Sequence, residues 1–189
     1  MSQVLSRLRI LITRPIHQAE ALATELKDHG AQPLIHPTIR IQATEGQIRQ
    51  NALRVVQQLE APYYDGLLLS STNAIVSLTE ALDELSIAPT QLNELQIFCV
   101  GPATHQLATA EGMTKTHLAT EFTADGVVDL VRNHYGEELA SKTFLFPRAK
   151  NGRDNLVKGL EESKATVNVA ALYETVPIKE GPPLPEEID

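Results

Sequence analysis

Four short turns in this 189-residue sequence carry groups that could bind an anion, and each follows a predicted buried strand. They are Thr13-Arg14-Pro15, Ser70-Ser71-Thr72-Asn73, Gly101-Pro102-Ala103-Thr104 and Pro147-Arg148. A guanidinium can grip a carboxylate with two hydrogen bonds, and a helix N-terminus offers free backbone N–H groups. We therefore predict that these turns contribute to a site for a carboxylate-bearing ligand.

Each of these features also has an explanation that needs no ligand. A serine such as Ser71 caps a helix without any further role, and arginines such as Arg14 and Arg148 are common on surfaces. Tyr173 lies in the extended segment 166–178. It is either a half-buried strand residue or a phenol that donates a proton in a cleft. The residues alone leave these alternatives open.

The sequence lacks the common cofactor and nucleophile motifs. The Gly101 turn has no second and third glycine of a dinucleotide fingerprint, and neither a Walker motif nor a GxSxG elbow occurs. NAD and ATP are therefore not expected. The six histidines show no metal-binding spacing, so no metal site is expected. The single cysteine, Cys99, lies in an apolar run and is predicted to be an inert core residue.

The composition is that of a soluble globular protein, with 42% hydrophobic and 21% charged residues. A net charge of −8 argues against nonspecific nucleic-acid binding, which requires a basic surface. The N-terminus lacks the apolar core of a signal peptide, and no apolar run approaches the roughly 20 residues that span a membrane. One cysteine fits a reducing compartment. We predict a cytoplasmic protein with neither a membrane nor a nucleic-acid partner.

The hydrophobic pattern alternates between strands and helices along most of the chain. Apolar runs predict strands at 8–13, 65–70, 97–100 and 143–146, the last followed by a turn at Pro147-Arg148. Helical spacing predicts helices at 19–29, 45–60, 73–85, 103–111 and 153–162, and a capped helix starting within 122–126. This alternation is typical of an α/β fold with a mostly parallel sheet, in which ligands bind at the carboxyl ends of strands.

Three segments depart from this pattern. Residues 33–42, interrupted by Pro37, and residues 166–178 are long and extended. Because ten extended residues exceed an ordinary strand, the first is predicted to cross between parts of the fold. The tail, 179–189, holds three prolines and four acidic residues and is typical of a linker or frayed end.

Six short motifs run in order along nearly the whole chain. They are Ile12-Thr13-Arg14-Pro15 followed by Gln18-Ala19-Glu20-Ala21-Leu22, Ser70-Ser71-Thr72-Asn73-Ala74-Ile75, Val100-Gly101-Pro102-Ala103-Thr104, Phe122-Thr123-Ala124-Asp125-Gly126-Val127, Phe146-Pro147-Arg148 and Leu172-Tyr173-Glu174-Thr175-Val176-Pro177. Together they resemble the uroporphyrinogen-III synthase family, the lyases that close the macrocycle in tetrapyrrole and haem biosynthesis.

The resemblance implies an α/β, two-lobe, parallel-sheet (flavodoxin-like) architecture with the second lobe inserted into the first. It places the start of lobe one at 1–35, lobe two with an extended connector at each end at 36–175, and a linker back towards lobe one at 176–189. In this family the chain then returns to complete lobe one, so we expect an incomplete first lobe here. The expected protein is either a monomer or one completed by a missing segment or a partner chain.

The resemblance also implies a reaction. In this family hydroxymethylbilane loses its hydroxyl as water, ring D inverts, and the macrocycle closes to uroporphyrinogen III without a cofactor. Tyr173 corresponds to the tyrosine proposed to assist departure of the hydroxyl, and is the expected catalytic residue. The residues expected to bind this carboxylate-rich substrate are Arg14, Ser71, Asn73, Gly101, Thr104 and Arg148.

Two other hypotheses are compatible with the same sequence. The first is a non-catalytic module that binds a tetrapyrrole or a small anion and has lost the second half of lobe one. The second is a flavodoxin-like regulatory domain, which shares the alternation of strands and helices. Receiver domains of that kind need clustered acids at strand ends, where this chain has Arg, Ser, Gly and Pro.

Overall fold

The computed structural model describes residues 4–179, in which strands and helices alternate. The strands are β1 (Arg9–Ile12), β2 (Gln32–Ile35), β3 (Ile39–Ala43), β4 (Gly66–Leu69), β5 (Gln96–Cys99), β6 (Thr116–Leu118), β7 (Thr143–Ala149) and β8 (Thr166–Pro177). The α-helices are α1 (Ile16–Asp28), α2 (Gly46–Gln57), α3 (Thr72–Leu85), α4 (Pro102–Ala110), α5 (Ala124–Tyr135) and α6 (Asn155–Glu161). Short 3₁₀ helices precede β4, β5 and β7.

A parallel sheet forms the larger part of the described fold. Its strands lie in the order β8-β7-β4-β5-β6, with β3 adjoining β8, and each neighbouring pair from β8 to β6 is parallel. The predicted α/β class with a mostly parallel sheet is therefore confirmed. Within residues 4–179 no helix is both long and apolar enough to cross a membrane.

The central strands are buried on both faces, as their uninterrupted apolar sequences predict. On one face Leu68 and Phe98 pack with α5 and α6 residues such as Val127 and Leu160. Leu67, next to Leu68 in β4, points to the opposite face and is also fully buried. The sheet thus provides a rigid base whose strand ends carry the polar turns.

The chain divides into two compact units whose boundaries fall within β3 and β8. The first unit combines Met1–Gln42 with Thr175–Asp189, and the second is Ala43–Glu174. In the first unit β1 and β2 form a two-stranded parallel sheet. The small core of this unit is formed by Ile12, Ala19 and Ala23.

The two long extended segments form strands, but in different ways. Residues 33–42 contain parts of β2 and β3, separated by an interruption at Pro37, whereas residues 166–177 form the continuous strand β8. The predicted division into 1–35, 36–175 and 176–189 stays a prediction. Residues 180–189 of the tail lie outside the described residues.

The predicted turn at Pro147-Arg148 is wrong, because β7 continues through both residues to Ala149. Pro147 pairs with Ala170 of β8. On the other side β7 pairs with β4 only at Phe144 and Leu145, so Pro147 lies beyond the end of that ladder. A proline lacks the N–H needed for a ladder on that side, and it is tolerated where the ladder has ended.

His117 on strand β6 should make the stability of the protein depend on pH. Burial, and then the nearby His134 and His105, lower the pKa of His117. Below about pH 6.5 the unfolded chain therefore binds more protons than the folded protein, so the free energy of unfolding decreases as the pH falls. His117→Gln should reduce this decrease, measured by urea unfolding at about pH 7.5 and about pH 5.5.

His29→Gln is the matched control for the loss of an imidazole, since His29 is exposed just beyond α1. Both variants and the parent are unfolded under the same two conditions. An equal change in the pH dependence for the two substitutions would contradict the assignment to His117.

Candidate active site

A cavity of about 510 Å³ lies in the second unit at the carboxyl ends of the sheet strands. Its walls come from the ends of β4, β5 and β7, from β8, from the start of α5 and from the loop between β7 and α6. They include Ser70, Ser71, Val100, Phe122, Thr123, Asp125, Phe146, Arg148, Gly152, Arg153, Asn155 and Tyr173.

The strand order explains why a cavity forms at this place. From β4 the chain passes to β5 and β6 on one side of the sheet, and it then returns to β7 and β8 on the other side. The connections leaving β4 and β7 therefore diverge, and a crevice remains between the carboxyl ends of these two strands. Ser71 enters the crevice from the end of β4, and Arg148 enters it from β7.

The Ser71 hydroxyl joins a helix terminus to the phenol of Tyr173. Ser71 is the N-cap of α3, and its Oγ accepts a hydrogen bond from the Ala74 backbone N–H at 3.2 Å. The same oxygen lies 2.9 Å from the Tyr173 hydroxyl, and either hydroxyl can be the donor. Tyr173 is only 6% exposed but lines the cavity. A phenol held in this way can exchange a proton with a bound ligand.

An irregularity in the pairing of β7 with β8 lies beside Tyr173. Arg148 pairs with Ala171, but the next residue, Ala149, pairs with Tyr173, so Leu172 is an extra residue in β8. Because successive residues of a regular strand point to opposite faces, one extra residue changes the face that the following side chains occupy relative to their partners in β7. Such bulges commonly re-aim a side chain beside a functional site.

Arg148 is oriented by the loop that follows β7. Its Nη1 donates to the Asp154 carboxylate at 2.7 Å and to the Arg153 carbonyl oxygen at 2.9 Å. Its guanidinium carbon lies 5.8 Å from the ring centre of Phe146. Within the described residues, Nε is buried without a hydrogen-bond partner. The guanidinium is therefore held through Nη1, while its Nε–H donor makes no hydrogen bond within the described residues.

Gly152 makes room for this arrangement. A Cβ atom at position 152 would lie 3.1 Å from both the Arg148 Cδ and the Ala149 carbonyl oxygen. A larger residue would require the Arg148 side chain or the loop to shift by a few tenths of an ångström, so glycine allows the loop to approach Arg148 closely.

Phe122 gives the cavity an exposed aromatic surface. The residue precedes α5 and is 58% exposed, which is unusual for a large apolar side chain. The neighbouring Thr123 caps α5, since its hydroxyl accepts a hydrogen bond from the Gly126 N–H at 3.1 Å. Asp125 and Arg153 are exposed on the same walls. The cavity therefore combines an aromatic face, a helix N-terminus and charges of both signs.

Three of the residues predicted for the site line the cavity together: Ser71, Arg148 and Tyr173. The four others lie elsewhere in the described chain. Asn73 and Gly101 are half-buried at the starts of α3 and α4, Thr104 is 5% exposed in α4, and Arg14 is exposed after β1 in the first unit. The contribution of these four to substrate binding stays a prediction.

Several lining residues were not predicted as site residues from the sequence. Phe122 and Thr123 belong to the motif at 122–127, and their position between the short strand β6 and α5 is a signal that could have indicated a strand-end site. Gly152 and Arg153 carry no such pattern, because only the folded loop brings them to Arg148.

The core position predicted for Cys99 is confirmed. The side chain is fully buried in β5, and burial raises the pKa of its thiol to about 11. At neutral pH it is therefore not a thiolate nucleophile. Among residues 4–179, no group of three or more His, Cys, Asp or Glu side chains is arranged to hold a metal ion.

The sequence matches the family model described as uroporphyrinogen-III synthase HemD over residues 20–188. The chain belongs to the uroporphyrinogen-III synthase family. Among curated proteins, the uroporphyrinogen-III synthase of Synechococcus elongatus is 27% identical over 172 residues, which cover 88% of this chain and 60% of that protein. That of Chlorobaculum parvum is 27% identical over 171 residues, covering 89% and 64%. The chain thus spans less than two thirds of the length of these relatives.

Solved structures of family members share the fold. A Thermus thermophilus uroporphyrinogen III synthase superposes with a TM-score of 0.63 at 16% identity, covering 90% of this chain and 64% of that one. The Helicobacter pylori synthetase superposes with a TM-score of 0.51 at 15% identity, covering 92% and 64%. At such identities the likeness concerns the fold alone. The sequence match therefore establishes the family, and the structures agree with the α/β architecture.

Gly126→Ala should destabilise this family member strongly and disturb the cavity wall. A Cβ atom at position 126 would overlap the backbone carbonyl oxygen of Glu121, which cannot move away as a flexible side chain could. We expect a loss of about 3 kcal/mol in the free energy of unfolding, measured by urea denaturation, because overpacking against backbone is poorly relieved.

Gly101→Ala is the matched control. Gly101 also starts a helix, but an added Cβ meets nothing within 4 Å, and its φ of −139° suits alanine. Its cost should stay below about 1 kcal/mol, from the weaker capping preference of alanine. Similar losses for the two variants would contradict the close approach at Gly126.

Proposed function

We propose that this protein converts hydroxymethylbilane to uroporphyrinogen III, with inversion of ring D and loss of water. Family membership supports the reaction class. The observation that carries the proposal is the phenol of Tyr173 in the cavity wall, hydrogen-bonded to Ser71 at the N-terminus of α3. Because the chain spans less than two thirds of its curated relatives, the activity must be measured on this chain itself.

Tyr173 is proposed as the proton donor to the leaving hydroxyl. A hydroxyl departs far more easily as water than as hydroxide, so a positioned acid lowers the barrier of that step. The small exposed fraction of Tyr173 limits the access of bulk water to the phenol. Folding the flexible bilane into one conformer around this group would supply much of the remaining acceleration.

The carboxylates of the bilane are proposed to bind local hydrogen-bond donors in the cavity, which attract an anion even though the net charge of the protein is negative. The protein carries a formal charge of −8, which disfavours a polyanion at long range. At short range the cavity offers Arg148, Arg153 and the N-termini of α3 and α5, whose N–H groups and dipoles favour anions. Arg148 is proposed as a carboxylate contact because Asp154 and the Arg153 carbonyl hold only its Nη1.

Phe122 is proposed to pack against a pyrrole ring of the substrate. The substrate combines aromatic rings with carboxylate arms, and the cavity walls pair an exposed phenyl ring with arginines. Covering a ring of this size removes apolar surface from water and allows aromatic stacking. The complementarity supports a ligand that is both aromatic and anionic.

Incubation of the 189-residue protein with hydroxymethylbilane should yield mainly the type III isomer, whereas the bilane alone closes to type I. Tyr173→Phe should lower kcat about 100-fold with little change in KM, because only the transferable proton is removed. Chromatographic separation of the oxidised porphyrin isomers measures both results.

Tyr63→Phe is the matched control, since Tyr63 is 45% exposed and lies outside the cavity. Formation of type I alone by the unaltered protein would contradict the proposed reaction. An inactive protein that still bound uroporphyrin would instead support a binding module. An unchanged kcat in Tyr173→Phe would show that the Tyr173 phenol does not donate the proton.

Phe122→Ala should weaken the binding of uroporphyrin III about 10-fold, or roughly 1.4 kcal/mol, because one aromatic contact is lost. Isothermal titration calorimetry measures the affinity. Val76→Ala is the control, since Val76 is a 47% exposed apolar residue of α3 outside the cavity. Equal affinities for the parent and Phe122→Ala would exclude the ring from the binding surface.

A further inference from the structure

We propose that Ser71 is a positioning residue that turns the hydroxyl proton of Tyr173 into the cavity. The inference rests on the proposed function, in which Tyr173 donates a proton, and gives Ser71 a role other than contact with substrate. It is based on the two hydrogen bonds of the Ser71 hydroxyl, both inside the second unit.

The Ser71 oxygen accepts one hydrogen bond from α3 and has one proton left to donate. The Ala74 N–H points at Oγ at 3.2 Å. A serine hydroxyl carries a single donor proton, and within the described residues the second partner of this hydroxyl is Tyr173 at 2.9 Å. Two directions remain, because either Ser71 donates to Tyr173 or Tyr173 donates to Ser71.

The helix cap favours donation from Ser71 to Tyr173. The Ala74 N–H and the positive end of the α3 dipole draw electron density from Oγ. Chained hydrogen bonds strengthen one another in the same direction, so the capping hydroxyl becomes a better donor and a poorer acceptor. The phenol then keeps its own proton for a ligand, and it has no other hydrogen-bond partner within residues 4–179.

The same direction assists proton transfer to the leaving group. The C–O bond of the bilane breaks with its electron pair on oxygen, and that oxygen takes the Tyr173 proton and departs as water. Negative charge develops on the phenol oxygen, where the Ser71 hydrogen bond and the α3 N-terminus stabilise it. Ring closure later releases a proton from the substrate, which restores the phenol.

Helix capping and the positioning of Tyr173 can be separated at this position. Glycine is an acceptable N-cap and alanine a much poorer one, yet neither can donate a hydrogen bond to Tyr173. Threonine keeps both the cap and the hydroxyl. Ser71→Gly therefore removes the contact at little cost to α3, and Ser71→Thr is the matched rescue variant.

The test measures the contact and the reaction separately in the full 189-residue protein. With 13C at the ζ carbon of tyrosine, the four tyrosines give four NMR resonances, and Tyr173→Phe identifies the one from Tyr173. Ser71→Gly and Ser71→Ala should both move this resonance, while Ser71→Thr leaves it in place. In the isomer assay, Ser71→Gly and Ser71→Ala should lower kcat about 10-fold or more with KM within about twofold, and Ser71→Thr should retain the parental kcat.

An unmoved Tyr173 resonance in Ser71→Gly overturns the contact. If kcat falls in Ser71→Ala but not in Ser71→Gly, Ser71 acts only as a helix cap, and the proposed positioning role is wrong. The double variant Ser71→Gly/Tyr173→Phe should be no slower than Tyr173→Phe, and additive losses overturn the proposal. If the unaltered protein forms no type III isomer, the proposed function and this catalytic role fail together, while the resonance still reports separately on the contact.

Discussion

The reversal of strand order between β4 and β7 is the constraint on which the candidate site depends. In a parallel sheet each connection between strands crosses one face of the sheet. The connections that leave β4 and β7 run in opposite directions, and a crevice remains between the carboxyl ends of these two strands. The buried apolar strands hold this edge rigidly, so groups at their carboxyl ends keep fixed positions. The cavity thus follows from the topology, and the local sequence decides which chemical groups occupy it.

Several polar groups that stabilise the fold, such as helix caps, also line the cavity. Ser71 and Thr123 cap α3 and α5, and both line the cavity, where helix termini add a local preference for anions. Arg148 contacts Asp154, which orients its guanidinium and also compensates part of its charge. The cavity thus combines groups that favour an anion at short range with a protein whose net charge is negative.

The alternation of elements was predictable because each depends mainly on residues close in sequence. The apolar run at 97–100 predicted β5, and the spacing of hydrophobic residues predicted α3, whose N-cap in the structure is Ser71. The prediction failed at Pro147-Arg148, because the turn preference of proline is local whereas its place in β7 depends on the neighbouring strands. Proline is acceptable there only because the β4 ladder has already ended.

The sequence by itself determined the α/β class, the buried strands, the capped helix starts and the family. Those features follow from local periodicity and capping, and from motifs that can be read along one chain. Only the tertiary structure decided that Tyr173 meets Ser71, 102 residues away, and that Phe122 and Gly152 share a cavity with Arg148. The physical reason is strand register: long-range pairing between β7 and β8 sets which residues lie side by side, and its shift at Ala149 and Tyr173 depends on both strands together.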